Sequence, residues 1–205
     1  MQISQTDWPE TDFTKAVESL AQRHYAVIPD FLSPPMLEML RSECLHMHDE
    51  GHFHAASVGR AAGQQLNQRI RGDSIRWLEP EFPAGGRYLA RMAELQAQLN
   101  RELFLGLRQF ETHYAHYEPG SFYKRHVDRH RDNDARVISA VCYLNPEWPQ
   151  EAGGEIRVWN DADEEVLCLS PQGGALLLFT SHNMPHEVLP ANRVRLSLAG
   201  WFRRD

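Results

Sequence analysis

Cysteine is scarce in this chain: Cys44, Cys142 and Cys168 are the three in 205 residues. An odd number at wide spacing supports neither a disulfide framework nor a thiolate zinc site. All three read as reduced core residues, because a free thiol packs as a small hydrophobe. Long apolar runs are lacking as well, since stretches such as Ala175 to Phe179 fall far short of the ~20 residues a membrane helix needs. The start, Met1-Gln2-Ile3-Ser4-Gln5, has no basic-then-apolar leader. A soluble, cytoplasmic protein with no membrane partner is expected. Positive charge is in short supply, with 21 Lys and Arg against 28 Asp and Glu and a formal net charge of −7. Phosphate backbones demand clustered Lys and Arg on a basic face, so a nucleic-acid partner is disfavoured. No internal repeat and no linker interrupts the chain, and residues 1–205 are expected to form a single domain. Histidine, at 11 residues, is the one enriched type that carries chemistry.

The first half reads as helices around short strands. Phe13, Val17, Leu20 and Ala21 have helical spacing behind Thr11 and Asp12 as caps, and Tyr25 to Ile28 is extended. Ser33-Pro34-Pro35 is a helix start, a hydroxyl cap followed by prolines whose missing N–H groups cost nothing in the first turn. Leu37, Leu40, Cys44 and Leu45 supply its buried face. From Gly51 to Arg69 the apolar period disappears, and a loop this long inside a compact domain is usually functional or disordered. Ile70 to Leu78 reads as a strand, and Tyr88, Met92, Leu95, Leu99 and Leu103 mark one more amphipathic helix. Helical support is thus expected mainly over 11–103, with a mobile substrate loop at about 51–73. From Gly106 onward the period becomes two, predicting strands near 107–117, 121–128, 136–144, 155–159, 165–169, 175–179, 186–190 and 194–202. Turn signals such as Glu118-Pro119-Gly120, Gly153-Gly154 and Asn160-Asp161 separate them. Short strands at this spacing predict a sandwich or jelly roll, with its core at about 106–202, rather than alternating parallel units.

The sharpest chemical signal is Tyr123-Lys124-Arg125-His126-Val127-Asp128. Residues i and i+2 of a strand share a face, so His126 and Asp128 offer an imidazole and a carboxylate side by side. His186 follows 58 residues after Asp128, also at a predicted strand start. Two histidines and one carboxylate make the facial triad of non-haem Fe(II) oxygenases. His-x-Asp alone is weak, the bland reading being a solvated turn pair. Nine residues after His186 stands Arg195, opening a strand in which Arg195, Ser197, Ala199 and Trp201 share one face and Leu196, Leu198 and Phe202 the other. An inward arginine is an unpaired buried cation unless an anion meets it, at a cost of several kcal/mol. A dicarboxylate with a 2-oxo acid end resolves that cost, chelating iron at one end and taking a bidentate bond from the guanidinium at the other. An ordinary Arg–Asp/Glu bridge is the alternative.

At these residues the chain resembles the 2-oxoglutarate- and Fe(II)-dependent prolyl 4-hydroxylases, in the branch of the hypoxia-inducible-factor prolyl hydroxylases and their bacterial relatives. The matching segments are Ile70-Arg71-Gly72-Asp73 with Trp77-Leu78-Glu79, Pro119-Gly120, Tyr123 to Asp128, Tyr143-Leu144-Asn145, Gly153-Gly154-Glu155-Ile156, and Pro185-His186-Glu187-Val188 with Arg195 and Trp201. The resemblance implies a mainly β fold with α, a double-stranded β-helix supported by N-terminal and mid-chain helices. It implies that His126, Asp128 and His186 bind Fe(II), that Arg195 binds the C5 carboxylate of 2-oxoglutarate, and that Tyr143 adds a phenol hydrogen bond there. Ile156 and Val188 become apolar walls, and Tyr117 and Tyr123 face the site. The turn between Tyr117 and His126 is one residue shorter than in animal relatives, which makes Tyr117 less secure. Ala199 stands where those relatives carry a hydroxyl, a change that bears on water near the iron. The implied reaction consumes 2-oxoglutarate and O2, releases succinate and CO2, and hydroxylates C4 of a proline in a protein, with ascorbate (vitamin C) as the accompanying reductant and oxygen sensing as a role of the branch. Residues 51–69 with Arg71-Gly72-Asp73 are the candidate lid, with an Asp73–Arg136 bridge expected when it closes. Arg136 and Trp201 are substrate contacts by family position.

The other histidines read as bystanders. His48 and His52 stand at i and i+4 but lack the His-Glu-x-x-His pattern, and His113 and His116 face opposite ways on one strand, which favours packing or surface roles. A compact chain without a zinc-finger module is expected of a bacterial cytosolic enzyme, acting as a monomer. Bacterial relatives of this kind are linked to elongation factor Tu, which makes it the leading candidate substrate, although no residue selects it. Two alternatives share the iron chemistry: a nucleic-acid demethylase, which would want a basic, aromatic groove, and a non-catalytic 2-oxoglutarate or oxygen sensor that binds a partner peptide.

Overall fold

The structure, a computed structural model, describes residues 8–9, 13–56, 70–129 and 134–205. Helix α1 (Thr14–Arg23) leads into β1 (Tyr25–Ile28), and α2 (Pro34–Asp49) into β2 (His54–Ala55) and β3 (Asp73–Trp77). Helix α3 (Gly85–Leu103) precedes a run of strands: β4 (Gln109–Tyr117), β5 (Tyr123–His126), β6 (Arg136–Tyr143), β7 (Ile156–Trp159), β8 (Glu165–Leu169), β9 (Leu176–Thr180), β10 (His186–Val188) and β11 (Arg195–Arg203). They form a seven-stranded sheet of order β1-β9-β6-β11-β4-β3-β2 and a four-stranded sheet of order β5-β10-β7-β8, with antiparallel pairing throughout. This is the expected double-stranded β-helix. No helix of the described residues is long and apolar enough to cross a membrane.

The period-two pattern becomes two separate packing surfaces on the large sheet. Leu176 and Leu178 of β9 and Leu196, Leu198 and Phe202 of β11 face the helices, meeting Leu20 of α1, Leu40 of α2 and Leu95 of α3. Leu177 and Phe179 face the other way and pack with Ile156, Val158 and Met184 between the sheets. A one-residue slip of β11 would carry Arg195 and Ser197 into the helical layer, so burial on both faces fixes its register.

Local chemistry places the helices. Ser33 caps α2, accepting from the Met36 N–H at 3.3 Å, as its Ser-Pro-Pro sequence predicts. Helix α1 has no side-chain cap: Phe13 occupies that position and buries its ring, while Thr11 and Asp12 lie outside the described residues. Glu43 of α2 accepts from Ala84 N (2.7 Å) and Gly85 N (2.8 Å) at the start of α3, where the helix dipole favours an anion, and from Tyr114 Oη (2.7 Å) of β4. A Cβ on Gly86 would stand 2.3 Å from the Pro80 carbonyl oxygen, which requires glycine there.

Three expectations change. Cys168 is exposed on β8, the edge of the four-stranded sheet, whereas Cys44 and Cys142 are buried; all three are free. The strand expected over 70–78 starts at Asp73. Of the loop expected over 51–73, His54–Ala55 pairs with Ser74–Ile75 as an edge strand too short for any alternation to show, and 57–69 lies outside the described residues.

Asn145, just past β6, ties the sheet at the point where β11 begins. Its Nδ2 donates to Pro171 O (2.8 Å) and Leu196 O (3.0 Å), and its Oδ1 accepts from Leu196 N (2.8 Å). Asn145→Ala strips partners from buried backbone groups, each costing ~1–3 kcal/mol. The expected loss is about 2–4 kcal/mol, read as a lower urea midpoint at unchanged m-value; an unchanged midpoint would show that the backbone finds other partners.

Candidate active site

His126 ends β5 and His186 opens β10, and these two strands pair with His126 directly opposite His186. Asp128, two residues after His126, brings its carboxylate between the two rings: His126 Nε2 lies 3.5 Å from Oδ1 and His186 Nε2 3.6 Å from Oδ2. All three side chains offer ligand atoms within 4.8 Å of one another. Ligand atoms each ~2.1 Å from one ion stand roughly 3.0–3.6 Å apart at angles of 90–120°, so this group can chelate a divalent metal with little movement.

The orientation of each ring is fixed from behind. His126 Nδ1 donates to Lys124 O at 2.8 Å, and His186 Nδ1 donates to Met184 O at 3.0 Å. With the proton held at Nδ1, each Nε2 keeps its lone pair for a metal. Burial, and then the neighbouring His126, push the His186 pKa down to about 4, so the ring is neutral at physiological pH, as a ligand must be. Burial by itself would raise the Asp128 pKa, but the His186 and His126 rings and the Ser139 hydroxyl outweigh it and hold the carboxyl well below the usual carboxylate range. Ser139 Oγ donates to Asp128 Oδ2 at 2.7 Å and lies 2.9 Å from Ser181 Oγ. Tyr123 stacks on His126 with centroids 3.6 Å apart, and Arg71 lies 4.5 Å over the other side of the chain of rings, on Tyr123.

The inner end of the same cavity, about 240 Å³ in volume, has the opposite character. Arg195 is 1% exposed; its Nε donates to Gly154 O at 2.9 Å and its Nη1 to Ser197 Oγ at 3.4 Å, while Nη2 has no protein partner among the described residues. Among the described residues no carboxylate pairs with it, so the ordinary ion pair weighed as the alternative finds no partner there. The rings of Tyr117 and Tyr143 flank the guanidinium, their centroids 5.1 and 5.3 Å from its carbon. The Tyr143 hydroxyl is buried and has no hydrogen-bond partner of good geometry among the described residues; burial, against the opposing pull of Arg195, pushes its pKa up to about 12, so it stays a donor. Gly154, at φ +77°, makes room: a Cβ there would stand 3.3 Å from Arg195 Cδ and 2.9 Å from Ala191 Cβ. Arg195 lines the cavity, whereas Tyr143 stands behind it against the guanidinium; a buried cationic donor of this kind fits an anionic group entering the inner end. Ile156 and Val188 line the cavity between the two ends.

The outer part is aromatic and cationic. Arg136 lies 3.5 Å over the Trp201 ring, and Trp77 stands 6.5 Å from Trp201. The expected Asp73–Arg136 bridge is not formed. Asp73 is held by Arg71 through two 2.6 Å bonds, because residues two apart on one extended segment share a face, and Arg136 binds Glu111 instead (3.1 and 3.0 Å). Ser139 and Ser181 carry no signal in the sequence, Trp77 is legible only as part of a matching segment, and His113, read as a packing or surface residue, has the strand parity of Tyr117 and faces the cavity. A second group, His48, His116 and Glu118, also brings ligand atoms within 4.8 Å, but its imidazoles stack at 3.8 Å and 7°. Each imidazole lone pair lies in its own ring plane, and two stacked, nearly parallel planes do not converge on one ion, so this group offers no preformed chelate.

Residues 112–203, which hold His126, Asp128, His186, Arg195 and the two tyrosines beside it, match the 2OG-Fe(II) oxygenase superfamily. A Pseudomonas putida prolyl-4-hydroxylase structure superposes with a TM-score of 0.86 at 41% identity, covering 95% of this chain and 100% of that one. A prolyl hydroxylase from Trichoplax adhaerens, solved with a peptide fragment of the hypoxia inducible factor oxygen degradation domain, superposes at 0.80 with 26% identity over 92% of this chain and 87% of that one. Human Egl nine homolog 1 is 28% identical over 186 residues, 86% of this chain and 43% of that protein, and the rat homologue matches over 54% of its length. The chain thus spans about half the length of these curated relatives.

Ser139→Ala removes a hydrogen bond behind the metal-facing carboxylate, and such outer partners are worth about 10–100-fold in metal affinity. Titration with Co(II) as a redox-stable probe is expected to show a loss in that range at unchanged thermal stability. Equal affinity would mean that Asp128 is oriented without the hydroxyl.

Proposed function

This chain belongs to the 2OG-Fe(II) oxygenase superfamily, and we propose that within it the protein is a prolyl 4-hydroxylase acting on a proline of a protein substrate. The observation that carries the reading is the polarity of one cavity: two imidazoles and a carboxylate converge at one end, and an arginine with no carboxylate partner among the described residues waits at the other. Fe(II), bound with 2-oxoglutarate and O2, supplies the oxidising power that converts a C–H bond to C–OH while 2-oxoglutarate and O2 become succinate and CO2.

In this reading His126, Asp128 and His186 hold the metal on one face and leave the other face free for cosubstrates. Arg195 takes the far carboxylate of 2-oxoglutarate through a charge-assisted bond, with Tyr143 adding its hydroxyl. That contact fixes the 2-oxo acid end against the metal face, which is where orientation contributes most to rate. Ile156 and Val188 keep water from the space between, and Tyr117 closes the wall beside Arg195. Tyr123, Asp73, Arg136 and Trp201 border the opening and meet the peptide, Asp73 by holding Arg71 over Tyr123.

The substrate class follows from the relatives' own activities together with an acidic chain that offers no general attraction to nucleic acid. Elongation factor Tu is the candidate substrate that the resemblance to bacterial relatives supplies, and a monomeric, cytoplasmic enzyme is the accompanying reading.

The test is 2-oxoglutarate-dependent succinate release with prolyl peptides, elongation factor Tu segments among them, paired with mass spectrometry for a gain of one oxygen on proline. Arg195→Gln is expected to raise the 2-oxoglutarate KM by about 100-fold or more, since removing one partner of a buried charge pair costs ~3–5 kcal/mol, and His126→Ala should abolish hydroxylation. Turnover that survives His126→Ala, or succinate release without any oxidised proline, would sink the assignment.

A further inference from the structure

We propose that His113 is a substrate-binding residue, its imidazole hydrogen-bonding an amide of the bound peptide beside the target proline. This rests on the prolyl hydroxylase reading and adds a specificity-determining contact to it.

His113 lies on β4 with Ala115 and Tyr117 on the face that lines the cavity. It is 1% exposed, and neither Nδ1 nor Nε2 has a hydrogen-bond partner among the described residues. Its surroundings explain why. The residue directly across on β11 is Ala199, which offers only a methyl group, and the one across on β3 is Trp77, whose ring meets the imidazole at 4.9 Å and 68°. Trp201 closes another side at 5.6 Å, and its own Nε1 is likewise buried and without a partner among the described residues. A residue serving only to fill this space would be apolar, because a buried donor and acceptor without partners weaken the fold. Two orphaned ring nitrogens on the wall of the reaction cavity are therefore groups held ready for something that enters it.

The chemistry of the ring selects what enters. Burial, then the cationic Arg71 and Arg136, lower the His113 pKa to about 3, so the imidazole is neutral over the physiological range. A neutral imidazole has one N–H and one lone pair, the complement of an amide's carbonyl and N–H. A carboxylate would call for a cation, and the cation without a carboxylate partner, Arg195, stands at the other end of the cavity. His113 instead shares its surroundings with Trp77, Trp201 and Arg136, on the side proposed for the peptide. Proline has no N–H of its own, so a chain entering here presents the prolyl carbonyl and the amides of flanking residues, or the carboxamide of a neighbouring Asn or Gln.

The experiment compares the wild-type enzyme with His113→Met and His113→Asn. Methionine adapts to an irregular apolar space and removes both polar atoms; asparagine keeps a donor and an acceptor. The Met variant is expected to melt roughly 2–4 °C higher without ligands, as relief of an unpaired polar group of about 1 kcal/mol predicts for a chain of this size. It is also expected to raise the peptide KM about tenfold, with kcat and the 2-oxoglutarate KM within about twofold. The Asn variant should recover most of the peptide KM. Replacing Asn and Gln of the peptide by Leu separates the sources: a penalty that persists places the contact on the main chain, and one that vanishes places it on the side-chain amide. A lower melting temperature for His113→Met would show a structural ring and overturn the proposal, as would an unchanged peptide KM or a 2-oxoglutarate KM that rises in step. A wild-type enzyme that oxidises no prolyl peptide would overturn the functional reading itself, a failure distinct from an active wild type indifferent to His113.

Discussion

A guanidinium buried to 1% exposure, with no carboxylate beside it among the described residues, is the constraint around which this cavity is arranged. Taking such an ion out of water costs several kcal/mol even after relaxation, and here the fold offsets it with neutral groups alone. One N–H meets the Gly154 carbonyl, another the Ser197 hydroxyl, and two tyrosine rings cover the flanks. The arrangement needs a glycine at 154 so that the chain can approach. It also needs β11 held in one register, which Asn145 secures one residue beyond the arginine and the leucines on the opposite face enforce. These supports are enough to keep Arg195 in place and too few to satisfy it, which is the condition for binding an anion strongly.

At the other end, the triad is aimed by the same means used more sparingly. Each imidazole is turned by the carbonyl two residues before it, so a local backbone contact sets the direction in which the metal-facing nitrogen points. The carboxylate is turned by a serine pair contributed by the large sheet and by the segment after β9. The ligand residues belong to the small sheet and its approaches, and Arg195 to the large one. A molecule that spans both ends is thus gripped by both layers, and its orientation follows from the packing of the sheets on each other.

The sequence makes some of this legible and hides the rest for definable reasons. Alternation in Arg195 to Phe202 assigns cavity and core residues correctly because both faces of that strand are buried, so any slip is penalised. His126 and Asp128 are readable because strand parity is local, and His186 because its partner set is short of one ligand. Ser139, Ser181 and the Asp73–Arg71 pair are different. Serine and arginine are common on any strand, and their meaning lies in contacts over 11 to 42 residues of sequence for the serines. The Asp73–Arg136 bridge expected of a closed lid is absent here for a related reason: two opposite charges near one opening suggest a pair, yet each has a partner closer in the folded chain. His113 reads as a packing residue against His116, whereas the neighbour that places it is Tyr117, on the same face of β4 through Ala115.

Charge shows most clearly why pairing matters more than composition. The whole chain is acidic at −7, which taken alone argues against any anionic ligand. Yet three arginines line the cavity, and with charges screened beyond roughly 8–10 Å at moderate salt, a ligand inside responds chiefly to those walls. Two of the three are already neutralised at hydrogen-bond distance, Arg71 by Asp73 and Arg136 by Glu111, and present their flat faces to Tyr123 and Trp201. Their charge is used to brace aromatic rings at the opening. Arg195 alone of the three lacks a carboxylate among the described residues, so the cavity holds a single strong anion subsite at its inner end and an aromatic, nearly neutral mouth. That division separates the two ends chemically, so an anionic group at the inner end and an uncharged one at the mouth would not compete for the same side chain.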